Sequence, residues 1–177
     1  MTTIIGDILE PNTTESELVL VCHQVNCKGV MGGGLAKQIK DKYPGVFQNY
    51  ADKCRQIAVG VGGLGDVQYV SVIADAGYIV ANIFGQDGFG RDKCYTDYDA
   101  LNKAFEYVAI GFPKAVIRIP YLFGCGLAGG NWDIVTGIIA NKLVNKGVKV
   151  EIWKLPSIAK AEEEAKQKAM FEQMTML

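Results

Sequence analysis

The chain has a single histidine, His23, which stands three residues before Asn26 and shortly before three consecutive glycines, Gly32, Gly33 and Gly34. An imidazole titrates close to neutrality and can act as nucleophile or as general acid–base. A glycine run that opens a helix exposes successive backbone N–H groups at a positively polarised helix end, which suits a phosphate or a ribose. A second glycine loop comprises Gly124, Cys125, Gly126 and Leu127, followed by Gly129 and Gly130. Two such loops facing one crevice can grip a diphosphate from both sides. Neither is a Walker A loop, since no Gly-Lys-Ser/Thr closes it, and neither matches G-x-G-x-x-G. A third feature is Gly6-Asp7-Ile8 near the start of the chain. A carboxylate there can accept from an exocyclic amine such as that of adenine, or can cap its own turn. Asp87, in the glycine-bearing stretch Gly85 to Gly90, would orient the imidazole or serve as base if that loop folds over the crevice.

Cys27 and Cys125 sit inside the two loops, but a thiolate nucleophile needs a base or a helix N-terminus beside it. No arginine follows Gly126, as a cysteine-phosphatase signature requires, so both thiols read as small packing residues. Five scattered cysteines with no C-x-x-C and one histidine give no zinc spacing. No metal and no cofactor are expected. Free thiols fit a reducing cytoplasm.

These residues need strands to carry them and helices to cover the strands. Thr3–Ile5 and Leu18–Cys22 read as strands, the second apolar on both faces as in a buried strand. Leu35, Ile39 and Tyr43 form one stripe of a helix, Pro44 breaks it, and Val46–Arg55 continues as a second helical piece. Asp66–Val72 and Tyr78–Phe84 read as a hairpin or neighbouring strands. Thr96 is placed to N-cap a helix carrying Tyr98, Leu101, Phe105 and Val108. Ala115–Ile119 is a strand, Gly130 or Asn131 starts the next helix, and Val148–Trp153 closes the sheet. Strands alternating with helices define an α/β domain in three layers, α/β/α.

With 177 residues the chain fits one domain. A net charge of −1 excludes a polybasic nucleic-acid binder. No membrane span is present in the sequence pattern, and MTTIIGDILEPN lacks the basic start of a secretory signal. Glycine, 21 residues in all, exceeds the average of about 7% and is clustered, as tight turns around a closely approached ligand require. Beyond Pro156 the sequence turns to Ala, Glu and Lys, predicting a solvated tail helix over residues 156–177, capped by Ser157 and packed by Ile158, Met170 and Phe171.

Taken together, the strand–Gly6-Asp7 start, the Asn26…Gly32-Gly33-Gly34-Leu-Ala element and the Gly124-Cys-Gly-Leu…Trp132 loop resemble a macrodomain over residues 1–155. The resemblance implies a mixed central sheet between helices and a crevice for ADP-ribose. It places Asp7 and the Ile8 backbone at the adenine, Gly124–Gly126 at the diphosphate, and Asn26 with Gly32–Gly34 around the distal ribose. It also implies an aromatic against the adenine or ribose, with Trp153, Phe84 and Phe123 as candidates. The HxxNCxGxMGGGxA form is similar to the branch of ADP-ribose-1″-phosphate phosphatases and terminal ADP-ribose–glutamate hydrolases. The hydrolases of that branch use a lysine and an aspartate. This sequence has Gly85-Gln86-Asp87 and Ala128 at those places, so the lysine–aspartate mechanism is not assigned. What the resemblance implies is hydrolysis of ADP-ribose-1″-phosphate, with His23, Asn26 and Asp87 near the reacting ribose. Alternatives are removal of ADP-ribosyl or O-acetyl groups, or binding without turnover. The expected partners are ADP-ribose derivatives, free or attached to protein; no membrane and no nucleic acid is expected.

Overall fold

The computed structural model describes residues 1–14 and 16–175. Its strands are β1 (Thr2–Ile5), β2 (Val19–Asn26), β3 (Val67–Ser71), β4 (Ile79–Gln86), β5 (Val116–Pro120) and β6 (Lys149–Lys154). They form one sheet in the order β1-β6-β5-β2-β4-β3. All neighbours run parallel except β3, which is antiparallel to β4. The helices are α1 (Gly34–Lys42), α2 (Pro44–Ala58), α3 (Ile73–Ala76), α4 (Tyr98–Gly111), α5 (Trp132–Lys142) and α6 (Pro156–Thr175). The mixed sheet between two helical layers is the three-layer α/β/α architecture expected.

Side chains alternate across β2, and each face has its own helical layer. Leu20 and Cys22 pack with Leu101 and Phe105 of α4 and with Val135 and Ile139 of α5. Val19 and Val21 point the other way, toward Ile39 of α1 and Val46 of α2. Burial on both faces is why these strands are nearly continuous apolar runs. Polar side chains within them, at His23, Gln24, Asn26 and Asn82, therefore need a special reason.

The topology opens the crevice. After β2 the chain leaves toward α1 on one face; after its neighbour β5 it leaves toward α5 on the other. The two loops part at the carboxyl ends of adjacent parallel strands, the switch point at which α/β sheets bind ligands.

Four local expectations are corrected. Strand β2 runs on to Asn26, four residues past the Cys22 end expected, so His23 and Asn26 stand on the strand itself. Helix α4 is capped by Asp97, whose side chain accepts from Ala100 N–H at 2.8 Å. Thr96 stands one residue before the cap, where its hydroxyl donates to Gly124 O at 2.6 Å. Strand β6 lies inside the sheet, and β1 forms the edge. Pro44 and Pro156 open α2 and α6, consistent with proline's preorganised φ and missing N–H at a first helical position, so Ser157 lies within the first turn of α6 rather than before it. The hairpin of β3 and β4 is present, joined through the single turn of α3.

Candidate active site

A cavity of about 510 Å³ occupies the switch point. One wall is the β2–α1 loop and the first turn of α1, including Gly32, Gly33, Gly34, Leu35 and Ala36. The other is the β5–α5 loop, including Leu122, Gly124, Gly126, Leu127 and Ala128. His23, Gln24, Asn26 and Gln86 contribute from the ends of β2 and β4, and Phe89 and Tyr121 complete the lining. The two glycine motifs thus come together as expected. Among the described residues no Asp, Glu, Lys or Arg lines the cavity, and the ionisable lining residues are His23 and Tyr121.

Backbone groups supply the donors. Gly33 caps α1 without a side chain, and the first helical bond runs from Lys37 N–H to Gly33 O. The N–H groups of Gly34, Leu35 and Ala36 consequently lack helical partners. Among the described residues, none accepts from the N–H of Gly126, Leu127 or Ala128. The two loops meet over the cavity, since a Cβ on Gly33 would lie 3.0 Å from Leu127 Cδ1. Gly124 has φ +70, and a Cβ there would come within 2.5 Å of Gln24 Oε1, so both the turn and the close approach require glycine. Among the described residues Leu122 is the one non-glycine residue with positive φ, at 59°, a conformation that costs about 1–2 kcal/mol.

His23 is almost wholly buried and lies opposite Asn82 of β4. Its Nε2 is 2.5 Å from Asn82 Oδ1, whereas its Nδ1 is buried with no hydrogen-bond partner among the described residues. Burial pushes its pKa down to about 4, the bond to Asn82 opposing this in part, so the ring is neutral at pH 7. A neutral imidazole with a free nitrogen can accept a proton or a hydrogen bond.

The other candidate residues are distributed less evenly. Asn26 lines the cavity, but its amide is committed to the loop: Nδ2 donates to Val30 O at 2.7 Å. Its Oδ1 accepts from Lys28 N–H at 2.9 Å and from the Tyr50 hydroxyl at 2.8 Å. Asn26 therefore shapes the glycine loop. Asp87 departs from expectation: it is not among the lining residues, and its exposed carboxylate accepts from Lys28 Nζ at 2.9 Å. Asn82, not Asp87, holds the imidazole, because Asn82 is directly across the strand register. Gly6, Asp7 and Ile8 lie outside the enclosed cavity, with Asp7 exposed and its Oδ1 accepting from Leu9 N–H at 2.9 Å. The Gly6 backbone packs against Trp153, which also stacks on the Arg118 guanidinium at 4.6 Å. Phe84 is core, packed against Tyr50, while Phe123 is buried yet touches the cavity.

The thiols of Cys27 and Cys125 are each pushed up to about 11, chiefly by burial, and stay protonated. Among the described residues no group of three His, Cys, Asp or Glu side chains could hold a metal ion.

Gln24, Gln86, Tyr121 and Phe89 were not singled out in the sequence. Gln24 Nε2 donates to Gln86 Oε1 at 2.8 Å and to Thr96 Oγ1 at 3.0 Å, tying β2, β4 and the start of α4 together beneath the cavity. A glutamine in an apolar strand was the available signal for the first. Nothing in the spacing marked Phe89, an exposed aromatic at the rim.

The Macro domain family model matches residues 22–71, the segment from β2 to β3 that carries His23 and the first glycine loop. A macrodomain protein from Streptomyces coelicolor superposes with a TM-score of 0.71 at 28% identity, covering 86% of this chain and 97% of that one. In sequence over this segment and in fold over most of its length, the chain is similar to macrodomains. A DNA ADP-ribosyl transferase–DNA ADP-ribosyl glycohydrolase fusion protein from Thermosipho africanus is 23% identical over 159 residues, 82% of this chain and 41% of that protein. An ADP-ribose 1″-phosphate phosphatase from Meyerozyma guilliermondii is 30% identical over 101 residues, 52% of this chain and 57% of that protein. The matches therefore span less than two thirds of the length of either relative.

Proposed function

We propose that the cavity binds ADP-ribose and that the chain hydrolyses ADP-ribose-1″-phosphate to ADP-ribose and phosphate. The observation that carries this reading is His23, a neutral imidazole with an unpartnered nitrogen in a cavity whose lining holds no carboxylate or cation. Diphosphate charge is accommodated by the N–H groups of the two glycine loops, which need no net positive charge. The phosphatase named among the relatives supports the substrate class.

In this mechanism water attacks the 1″-phosphorus as His23 takes its proton. The bond from phosphorus to the ribose oxygen breaks, and that oxygen receives the proton in turn. The absence of a lining lysine and aspartate disfavours a route through an opened ribose.

One observation favours a second reading, release of ADP-ribose from a polyanionic macromolecule such as DNA. A hollow beside the cavity, sharing Gly126 and Leu127 with it, is lined by Arg91 and Lys93, and the fusion protein from Thermosipho is named for that activity. Incubating the protein separately with ADP-ribose-1″-phosphate and with an ADP-ribosylated DNA oligonucleotide distinguishes the two. Phosphate release from the first, with the oligonucleotide left intact, is the expected result; the reverse outcome transfers the assignment to the second reading.

A further inference from the structure

Three buried or half-buried side chains cross the sheet in one line on the face toward α1 and α2. His23 of β2 meets Asn82 of β4 at 2.5 Å, and Asn82 Nδ2 donates to Gln68 Oε1 of β3 at 2.9 Å. Gln68 Nε2 donates in turn to the backbone carbonyl of Asn49 in α2 at 2.9 Å. The strand register sets these residues abreast: His23 pairs with Asn82, and Asn82 with Gln68.

The far end of this line dictates the near end. A backbone carbonyl can only accept, so the amino group of Gln68 must face Asn49 and its oxygen must face Asn82. The amide of Asn82 is thereby turned with its amino group toward Gln68 and its oxygen toward His23. An oxygen facing Nε2 requires the proton to be on Nε2, and in a neutral ring Nδ1 is then left with a lone pair. Among the described residues that nitrogen is one of three buried side-chain atoms without a hydrogen-bond partner, with Gln24 Oε1 and Arg118 Nε. A buried acceptor left unsatisfied is unfavourable, and because His23 lines the cavity the geometry points to a ligand donor as its partner.

Resting on the reading that the cavity binds ADP-ribose, we propose that Asn82 and Gln68 are positioning residues that fix His23 as the Nε2–H tautomer and present Nδ1 to the ligand as an acceptor. The group Nδ1 accepts from is a hydroxyl, of the sugar or of a bound water. The polarity of the line excludes an Nδ1–H donor at that place. Neither amide touches the reacting atoms; both act through the ring.

Because His23 is the chain's single histidine, protein with ¹⁵N-labelled histidine gives one pair of ring nitrogen signals, and their chemical shifts report the tautomer directly. The expected spectrum at pH 7 shows Nε2 protonated and Nδ1 bare, with Nδ1 moving toward the hydrogen-bonded position when ADP-ribose is added. In Gln68→Leu, where the amide of Asn82 is free to turn over, both tautomers appear; in Gln68→Glu, whose carboxylate still accepts from Asn82, the single tautomer returns. A protonated Nδ1 or a mixture in the unaltered protein overturns the proposal, as does a Gln68→Leu spectrum identical to the parent. An Nδ1 signal indifferent to bound ADP-ribose also overturns it. Failure of the phosphatase reading is separate: it shows as absent phosphate release while the tautomer stays as described.

Discussion

At the scale of single residues, burial decides what the site can do. His23 sits on a strand flanked by apolar neighbours, and the loss of solvation that lowers its pKa to about 4 keeps the ring neutral at pH 7, with one nitrogen lone pair left to accept. The same shift links pH to stability. The native ring stays neutral while the unfolded ring, titrating near 6.5, binds a proton, so the unfolded state gains protons between those values. Stability is complete above about pH 6.5 and falls as pH drops toward 4, by roughly 3 kcal/mol in total. Urea denaturation of the parent and of His23→Asn at pH 7.5 and 4.5 isolates this contribution: the parent loses about 3 kcal/mol more than the variant. Equal losses would show that the histidine titrates normally. Asp7→Ala tests the adenine end. Its carboxylate already accepts from Leu9 N–H, and the variant is expected to weaken ADP-ribose by about 1–3 kcal/mol in calorimetry, through the lost ligand bond and a loosened turn. Unchanged affinity would remove Asp7 from the binding site.

At the scale of elements, the proposed binding function falls to the glycine loops, because they bring bare backbone to the cavity. Gly33 has an extended backbone at the cap of α1 and touches Leu127 across the opening. Gly33→Glu puts a carboxylate in the cavity wall against Leu127 and, on the proposed reading, is expected to weaken ADP-ribose at least 100-fold, about 3 kcal/mol, with little change in melting temperature. Affinity within a few-fold of the parent would mean the ligand lies elsewhere. Gly124→Ala meets both a left-handed backbone and Gln24 Oε1, so thermal denaturation should show a loss of about 1–2 kcal/mol in stability. These loops were legible from sequence because their glycines follow strands and precede helices. The strand–helix alternation was legible for the same reason, through its apolar runs. Less legible were pairings across the sheet. His23, Asn82 and Gln68 are 59 and 14 residues apart in sequence and adjacent only through strand register, which no local pattern encodes. Asn82 in the otherwise apolar run Ile79–Phe84 was the one local hint. Asp87 was drawn toward His23 on the strength of its loop alone, whereas the end of β4 directs it to Lys28 at the surface.

For the molecule as a whole, the sheet places His23 and both glycine loops at one switch point, with β2 and β5 parting there. Helix α6 stands apart from this arrangement: most of its described side chains are exposed, and its ties to the domain include Glu162, which accepts from Lys154 at 2.6 Å and is hydrogen-bonded to Tyr121, with Ile158 and Ala159 half-buried. Of the apolar residues expected to pack it, Met170 is exposed. We propose that residues 1–155 form the domain by themselves: a chain ending at Leu155 should melt within a few degrees of the full sequence and bind ADP-ribose with the same affinity. A collapse in melting temperature would assign α6 to the core. The central claim joins the cavity to its one histidine, and the most direct measurement is phosphate release from ADP-ribose-1″-phosphate by the parent and by His23→Ala, with ADP-ribose affinity followed by calorimetry. Turnover by the parent, lost by about 100-fold or more in the variant while ADP-ribose still binds, is the predicted result. Turnover undiminished in His23→Ala, or absent from a parent that binds ADP-ribose tightly, would contradict it.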